Sequence, residues 1–192
     1  MKSLVTILFL IFFGINFTRA QEDTISSELQ SEEDLEAQNK DAAVKLVKDF
    51  FEKLHEQDTV ALRKFAHPDI VMRSVAIDTA GNTTVNASAY SEFLKSIASI
   101  PRTTNFEERL HSIAVHASGE LASVLTPYSV YVNEQLRHCG VNSFQLIKVG
   151  EEYKIIYLMD TRKKEGCAEF EAQERQEGET KTVIDEVPKW EN

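Results

Sequence analysis

Three runs rich in β-branched and aromatic residues fill the chain from Leu121 to Lys163: SVLTPYSVYV, RHCGVNSFQLIKV and YKIIYLMDTRKK. Only turn-length gaps separate them, and that spacing is the signature of an antiparallel meander. The segments ahead of them read mainly as helices. Ala43, Val47, Phe50, Phe51 and Leu54 recur at helical spacing, which predicts a helix over Asp41 to Gln57. Asp58 is placed to cap a second, short helix through Phe65, which Pro68 ends. A strand from Ile70 to Asp78 and a turn over Asp78 to Asn82 follow. Asn86 is then expected to cap a third helix whose apolar side is Ala89, Phe93, Leu94 and Ile97, stopped by Pro101. The long strands are expected at Phe106–His116, Leu121–Val132, Arg137–Val149 and Tyr153–Arg162. Helices first and a curved sheet afterwards give an α+β layout, with three helices covering one face of a mostly antiparallel sheet.

Strand alternation turns this layout into a list of candidate site residues. On the first long strand Ile113 and Val115 read as buried, which puts Arg109 and His111 on the same inward face. Val124, Thr126 and Tyr128 share one face of the next strand. Phe144 and Leu146 read as core, so Asn142 and His138 face inward with them. On the last strand Ile156 and Leu158 point in, followed by Asp160, with Arg162 beyond it. Each strand is apolar at one end and polar at the other, the pattern expected of a pocket with a greasy floor and a polar mouth. A three-residue loop around Gly150 would set Asn142 beside Asp160; a two-residue loop would set Val141 there. The three-residue loop is expected, because it buries Phe144 and Leu146 with Ile156 and Leu158.

Several segments carry a more specific likeness. Leu121-Ala122-Ser123-Val124 through Pro127-Tyr128, His138-Cys139-Gly140-Val141 with Phe144-Gln145-Leu146, and Tyr153-Lys154-Ile155-Ile156 into Asp160-Thr161-Arg162 are the main ones; Ala66-His67-Pro68-Asp69 after a helix also fits. On these the chain resembles the nuclear transport factor 2-like (NTF2-like, also SnoaL-like or cystatin-like) superfamily over roughly residues 40 to 166. It resembles in particular an exported bacterial group labelled lumazine-binding, with Tyr153 where most relatives carry Trp. The resemblance implies a cone whose wide end leaves a gap between helices and sheet. It leaves the chemistry open, since this fold hosts isomerases, dehydratases, binding proteins and assembly domains.

Three readings follow. A binder would hold a small, partly apolar organic molecule against Tyr128, Asn142, Arg109, His111 and Arg162. A cofactor-independent isomerase, dehydratase or cyclase would use His138 and Asp160 for proton transfer, with Tyr128 or Arg109 stabilising negative charge. An assembly domain would pair as a homodimer through the open sheet face, on exposed residues such as Val130, Val132 and Ile155. Each group also has a plain structural use. His138 can bond a strand-end carbonyl, Asp160 can pair with Arg162, Tyr128 can serve as a wall, and Arg109 and His111 can be solvated if their strand has the opposite parity. His67-Pro68-Asp69 reads as a helix stop, and His55 and His116 as surface.

The ends of the chain read differently from its middle. Lys2, the apolar run Leu4 to Ile15 and Thr18-Arg19-Ala20 before Gln21 form a signal peptide over residues 1–20, which predicts an exported, periplasmic or secreted protein. Residues 21–40 read as an acidic flexible linker, 41–166 as the domain and 167–192 as an acidic tail without structure, with Val183-Ile184 and Trp190 able to fold back onto the domain. The net charge of −10, made more negative when Lys2 and Arg19 leave with the leader, argues against nucleic acid and against an anionic membrane surface as partners. Cys139 and Cys167 are the only cysteines, and an even pair in an oxidising compartment is a disulfide candidate. The sequence leaves that bridge open, being silent on geometry. Neither cysteine has the Cys-x-x-Cys or His spacing of a metal site, and no cofactor motif appears.

Overall fold

The computed structural model describes residues 30–168 and 182–183; the expected leader, residues 21–29 and most of the acidic C-terminal segment lie outside them. Residues up to Gln38 form one unit and those from Asn39 a second. In the first, residues 30–38 are helical and exposed. Helix thus extends into the segment expected as a linker, because Gln, Glu, Leu and Ala are good helix formers. Within the second unit, helix α1 covers residues 39–55 and buries Ala43, Val47, Phe50, Phe51 and Leu54, the expected stripe. Asp58 caps α2 (Thr59–Phe65), accepting the Val60 and Ala61 amides at 3.1 and 2.9 Å.

Strand β1 (Ala66–Ile77) follows at once, and a turn returns the chain as β2 (Thr83–Ser88). Asp78 organises that turn, accepting Ala80 N–H (2.9 Å), Asn82 N–H (2.8 Å) and Asn82 Nδ2 (2.9 Å). Asn86 lies within β2 and does not cap the third helix. Helix α3 (Tyr90–Ser99) begins later, with the Glu92 carboxylate reaching back to the Ala89 amide at 3.4 Å. It buries Tyr90, Leu94 and Ile97.

The remaining strands are β3 (Phe106–Leu110), β4 (Ile113–Ser118), β5 (Leu121–Val132), β6 (Gln135–Val149), β7 (Glu152–Arg162) and the two-residue β8 (Thr182–Val183). They form an eight-stranded sheet in the order β2-β1-β7-β6-β5-β4-β8, with β3 also on β5. All pairings are antiparallel except β1 with β7 and β4 with β8. Three helices cover this curved, mostly antiparallel sheet, as the α+β reading expected. β8 lies within the segment expected as a tail and shows it folding back to β4 at that point.

Two bulges decide which side chains face the helices. The first breaks the strand expected over Phe106–His116. Leu110 pairs with Tyr128 and Ala114 with Leu125, so His111, Ser112 and Ile113 stand opposite only Thr126 and Pro127. Pro127 has no N–H to offer the ladder, a natural place for an extra residue. The bulge reverses parity: Ile113 and Val115 are buried as expected, but on β3 the even residues turn inward.

The second bulge lies in β7. Val149 pairs with Glu152, so the loop Gly150-Glu151 has two residues rather than the expected three. Leu146 pairs with Ile155 and Gln145 with Tyr157, which leaves Ile156 as the extra residue. Past it the register is the expected one, with Asn142 opposite Asp160. Ile155, not Ile156, is therefore the core residue, fully buried. Val130 is buried as well, having the parity of Val124, Thr126 and Tyr128. Neither belongs to an exposed pairing face; of the residues proposed for one, only Val132 retains partial exposure.

Candidate functional site

Side chains on the helix-facing side of the sheet form rows that cross the strands. One row runs Val124–Phe144–Leu158–Met72, and the next, two residues along each strand, runs Thr126–Asn142–Asp160–Ser74–Asn86. The first is apolar and packs against α1 and α3: Phe144 meets Phe50 and Phe51 edge-on at 5.8 and 5.9 Å, and Phe50 stacks on Phe93 at 6.2 Å. The second is polar throughout. Between them and the helices lies a cavity of about 650 Å³, floored by those phenylalanines and rimmed by Glu108, Tyr128, His138, Asn142, Asp160 and Arg162. That volume suits a small organic molecule.

Asp160 is the most heavily held group in the cavity. Arg162 donates to it from Nε (2.5 Å) and Nη2 (3.4 Å), Ser74 Oγ from 3.2 Å and the Tyr128 hydroxyl from 3.3 Å. The Tyr128 hydroxyl also donates to the Thr161 carbonyl at 2.9 Å, and burial pushes its own ionisation well above the usual tyrosine range. Gly140 makes this crossing possible. A Cβ there would stand 1.7 Å from the Thr161 carbonyl oxygen, so no other residue fits without moving the backbone. His138 meets Tyr128 edge-on, ring centroids 5.8 Å apart, and burial together with nearby Arg162 holds its imidazole below the usual histidine range.

Glu108 is the functional candidate that strand alternation missed. The first bulge turns it inward, where it accepts Asn142 Nδ2 at 2.8 Å. Burial pushes its carboxyl up to about 7, against the stabilising Asn142 bond and with a further push from Asp160. Its backbone is held from the helix side: His55 Nε2 accepts the Glu108 amide at 3.0 Å. Burial keeps that imidazole below its ordinary range, as an acceptor nitrogen requires. His55, at the surface as expected, also ties α1 to β3. The missing signal was Pro127, whose lost donor marks where the parity changes.

Two expected ligand contacts fall outside the cavity. Arg109 faces away from it, 4.1 Å over the Tyr131 ring and 2.8 Å from Glu107 Oε2. His111 is buried beside Ser129, with Nε2 at 2.9 Å from its hydroxyl, and does not line the cavity. Both follow from the same bulge, which sends the odd residues of β3 to the other side and contains His111 itself. Tyr128, His138, Asn142, Asp160 and Arg162 do converge. Cys139 and Cys167 are joined in a disulfide with their Cα atoms 5.6 Å apart, fastening the segment after β7 to β6 one residue from His138. Among the described residues, no three His, Cys, Asp or Glu side chains form a metal-binding group.

No family model matches the chain, and no curated protein matches it in sequence. Solved structures do match it in shape. An NTF2-like protein of unknown function from Pseudomonas putida aligns with a TM-score of 0.54 at 16% identity, over 78% of this chain and 96% of that one. An NTF2-like protein with a cystatin-like fold from Novosphingobium aromaticivorans gives 0.54 at 12% identity, over 78% and 94%. A candidate scytalone dehydratase from the same organism gives 0.50 at 16% identity, over 64% and 83%. The chain thus has the fold of the NTF2-like superfamily: helices on a curved sheet that closes over a cavity at its wide end.

Proposed function

We propose that this domain is an exported binder of a small, partly apolar organic molecule held in the cone cavity. The observation that carries the reading is the polar row from Thr126 to Asn86, set beside an aromatic floor across a hollow of about 650 Å³. Apolar contact supplies most of the affinity in such a site, and a few fixed polar groups orient the ligand. Export rests on the leader-like first twenty residues, and the Cys139–Cys167 disulfide is in keeping with an oxidising compartment. The acidic chain disfavours nucleic acid and anionic membrane as partners. A homodimer through the outer sheet face, where Leu121 and Leu125 are exposed, is the partner we propose beyond the ligand. A thermal-shift screen against metabolites tests the main reading: it should yield a stabilising compound that is recovered unchanged. Recovery of a converted product would overturn it, and light scattering that gives a monomer at every concentration would remove the dimer.

Glu108 favours a second reading, cofactor-independent acid–base catalysis of the isomerase, dehydratase or cyclase type. A carboxyl that exchanges its proton near neutrality beside an apolar floor is suited to move a proton on a bound substrate. In this reading His138 and Asp160 serve as the partner proton-transfer groups, and Tyr128 or Arg162, in place of Arg109, steadies developing negative charge. Glu108→Gln, His138→Asn and Asp160→Asn each keep shape while removing proton transfer. Turnover of any screened compound that survives all three substitutions would eliminate it.

A further inference from the structure

We propose that the molecule held in the cavity is an organic amine, its apolar body on the phenylalanine floor and its ammonium group on the free carboxylate oxygen of Glu108. The inference rests on the cavity-binding reading and adds the ligand's charge and its anchor. Register brings that anchor into the cavity wall. Glu108 pairs with Val130 and Val130 with His138, so the three cross β3, β5 and β6 as one row, and all three line the cavity. Phe106, two residues earlier on the same face of β3, lines it too, as do Phe51 and Tyr128. A cation at Glu108 therefore shares the wall with aromatic rings, whose faces attract positive charge.

Glu108 is a carboxyl without a counter-charge. Asn142 Nδ2 donates to its Oε1 at 2.8 Å, and Oε2 meets no donor among the described residues. No Lys or Arg among them forms an ion pair with it. Arg162 favours its ionised form from further off, but gives Nε and Nη2 to Asp160. The other groups around Glu108 supply no cation either. Burial holds the imidazoles of His138 on β6 and His55 on α1 below their usual range, so both are neutral at pH 7, and the Tyr128 phenol on β5 keeps its proton. Farther round the wall, Arg73 donates to the Met72 carbonyl and Glu92 accepts the Ala89 amide. The lining thus sets Glu92, Glu108 and Asp160 against Arg73 and Arg162, one acid in excess. A carboxyl that titrates at about 7 is half ionised at neutral pH. An ammonium therefore meets the charged form readily and relieves the penalty of leaving it unpaired. The net charge of −10 draws cations toward the protein in the first place.

Two probes isolate the ammonium. 1-Naphthylmethylamine and 1-naphthalenemethanol share one aromatic body and nearly one shape, and differ in charge. Calorimetric titration at pH 7 should show the amine binding about tenfold tighter than the alcohol, the scale of one hydrogen bond between charged groups. Glu108→Gln, which can still accept from Asn142, should bring the two affinities together by weakening the amine alone. A proton count distinguishes this pairing from a merely structural role of Glu108. At pH 6 the free carboxyl is mostly protonated and the amine-bound one ionised, so amine binding should release about one proton, read from the heats in two buffers of different ionisation enthalpy. In the wild type, amine affinity should accordingly rise between about pH 5 and 7 while alcohol affinity stays level. Equal affinities for the two probes, a level pH profile for the amine, or an amine preference that survives Glu108→Gln overturns the inference and leaves cavity binding standing. If neither probe binds, the cavity reading falls and takes the inference with it.

Discussion

Two neighbouring rows of the same sheet do opposite work. Val124–Phe144–Leu158–Met72 and Thr126–Asn142–Asp160–Ser74 lie on the same strands, two residues apart, and share the same ladder. The backbone treats them alike; side-chain chemistry alone separates them. The floor row is closed over by α1 and α3, and Phe144 there is wholly buried. The mouth row instead satisfies its members with hydrogen bonds, within the row from Ser74 to Asp160 and out of it from Asn142 to Glu108. Hydrophobic burial therefore concentrates stability at one level, while the next level keeps buried polar groups such as Thr126 and Asn142 by giving each a hydrogen-bond partner.

The sharpest break of this comparison is Phe144→Ala, which removes the ring packed between Phe50 and Phe51. It should cost about 3–5 kcal/mol in denaturant unfolding. A loss no larger than that of a mouth substitution would erase the distinction. Next is the disulfide beside the mouth. It closes a loop with a sequence separation of 28, and its reduction should cost about 3 kcal/mol, read as a lowered denaturation midpoint with reductant present. Gly140→Ala should cost about 1–3 kcal/mol, because the new Cβ meets backbone rather than a flexible side chain. It should also weaken ligand binding by displacing the Tyr128–Thr161 contact, whereas an equal loss of stability from truncating a core residue away from the cavity, such as Leu62, should not.

The smallest effect concerns protons. Below the ordinary glutamate pKa, Glu108 is protonated in both folded and unfolded chains and costs nothing. As pH rises, the unfolded carboxyl ionises first while the folded one holds its proton to about 7, so stability is lost between about pH 4.5 and 7. Glu108→Gln should remove that slope, about 3 kcal/mol for a fully sheltered carboxyl and on the order of 1–2 kcal/mol once solvent screening of the half-buried Glu108 is allowed for. Unfolding curves with the same pH slope in wild type and variant would show that the mouth does not shelter this group.

How far the sequence carried each part can be seen strand by strand. β5 was delimited to the residue, Asp58 was read as a cap, and the turn at Asp78 was placed, because each depends on local preferences: β-branched runs, a short acceptor before a helix, Asp and Gly in a tight turn. The inward faces of β5 and β6 were legible for the same reason, alternation being undisturbed through the cavity-lining part of either strand. β3 and β7 defeated that logic. Arg109 was expected inside and lies outside, Glu108 was overlooked, and Ile156 was expected where Ile155 stands. The pairing of Asn142 with Asp160 came out as anticipated, but through a bulge in β7 and not through a longer loop.

By itself, then, the sequence determined an α+β cone with an apolar and a polar end to its strands, since periodicity and turn chemistry act over a few residues. Which acid enters the cavity was decided only when strands met, because a single inserted residue reverses every side chain beyond it and its position depends on the partner strand. Pro127 sits on β5, and its effect is felt on β3 and β4. The meeting of Cys139 with Cys167 is of the same kind, since it depends on where the chain after β7 turns back to β6, a distance that spacing along the chain does not encode.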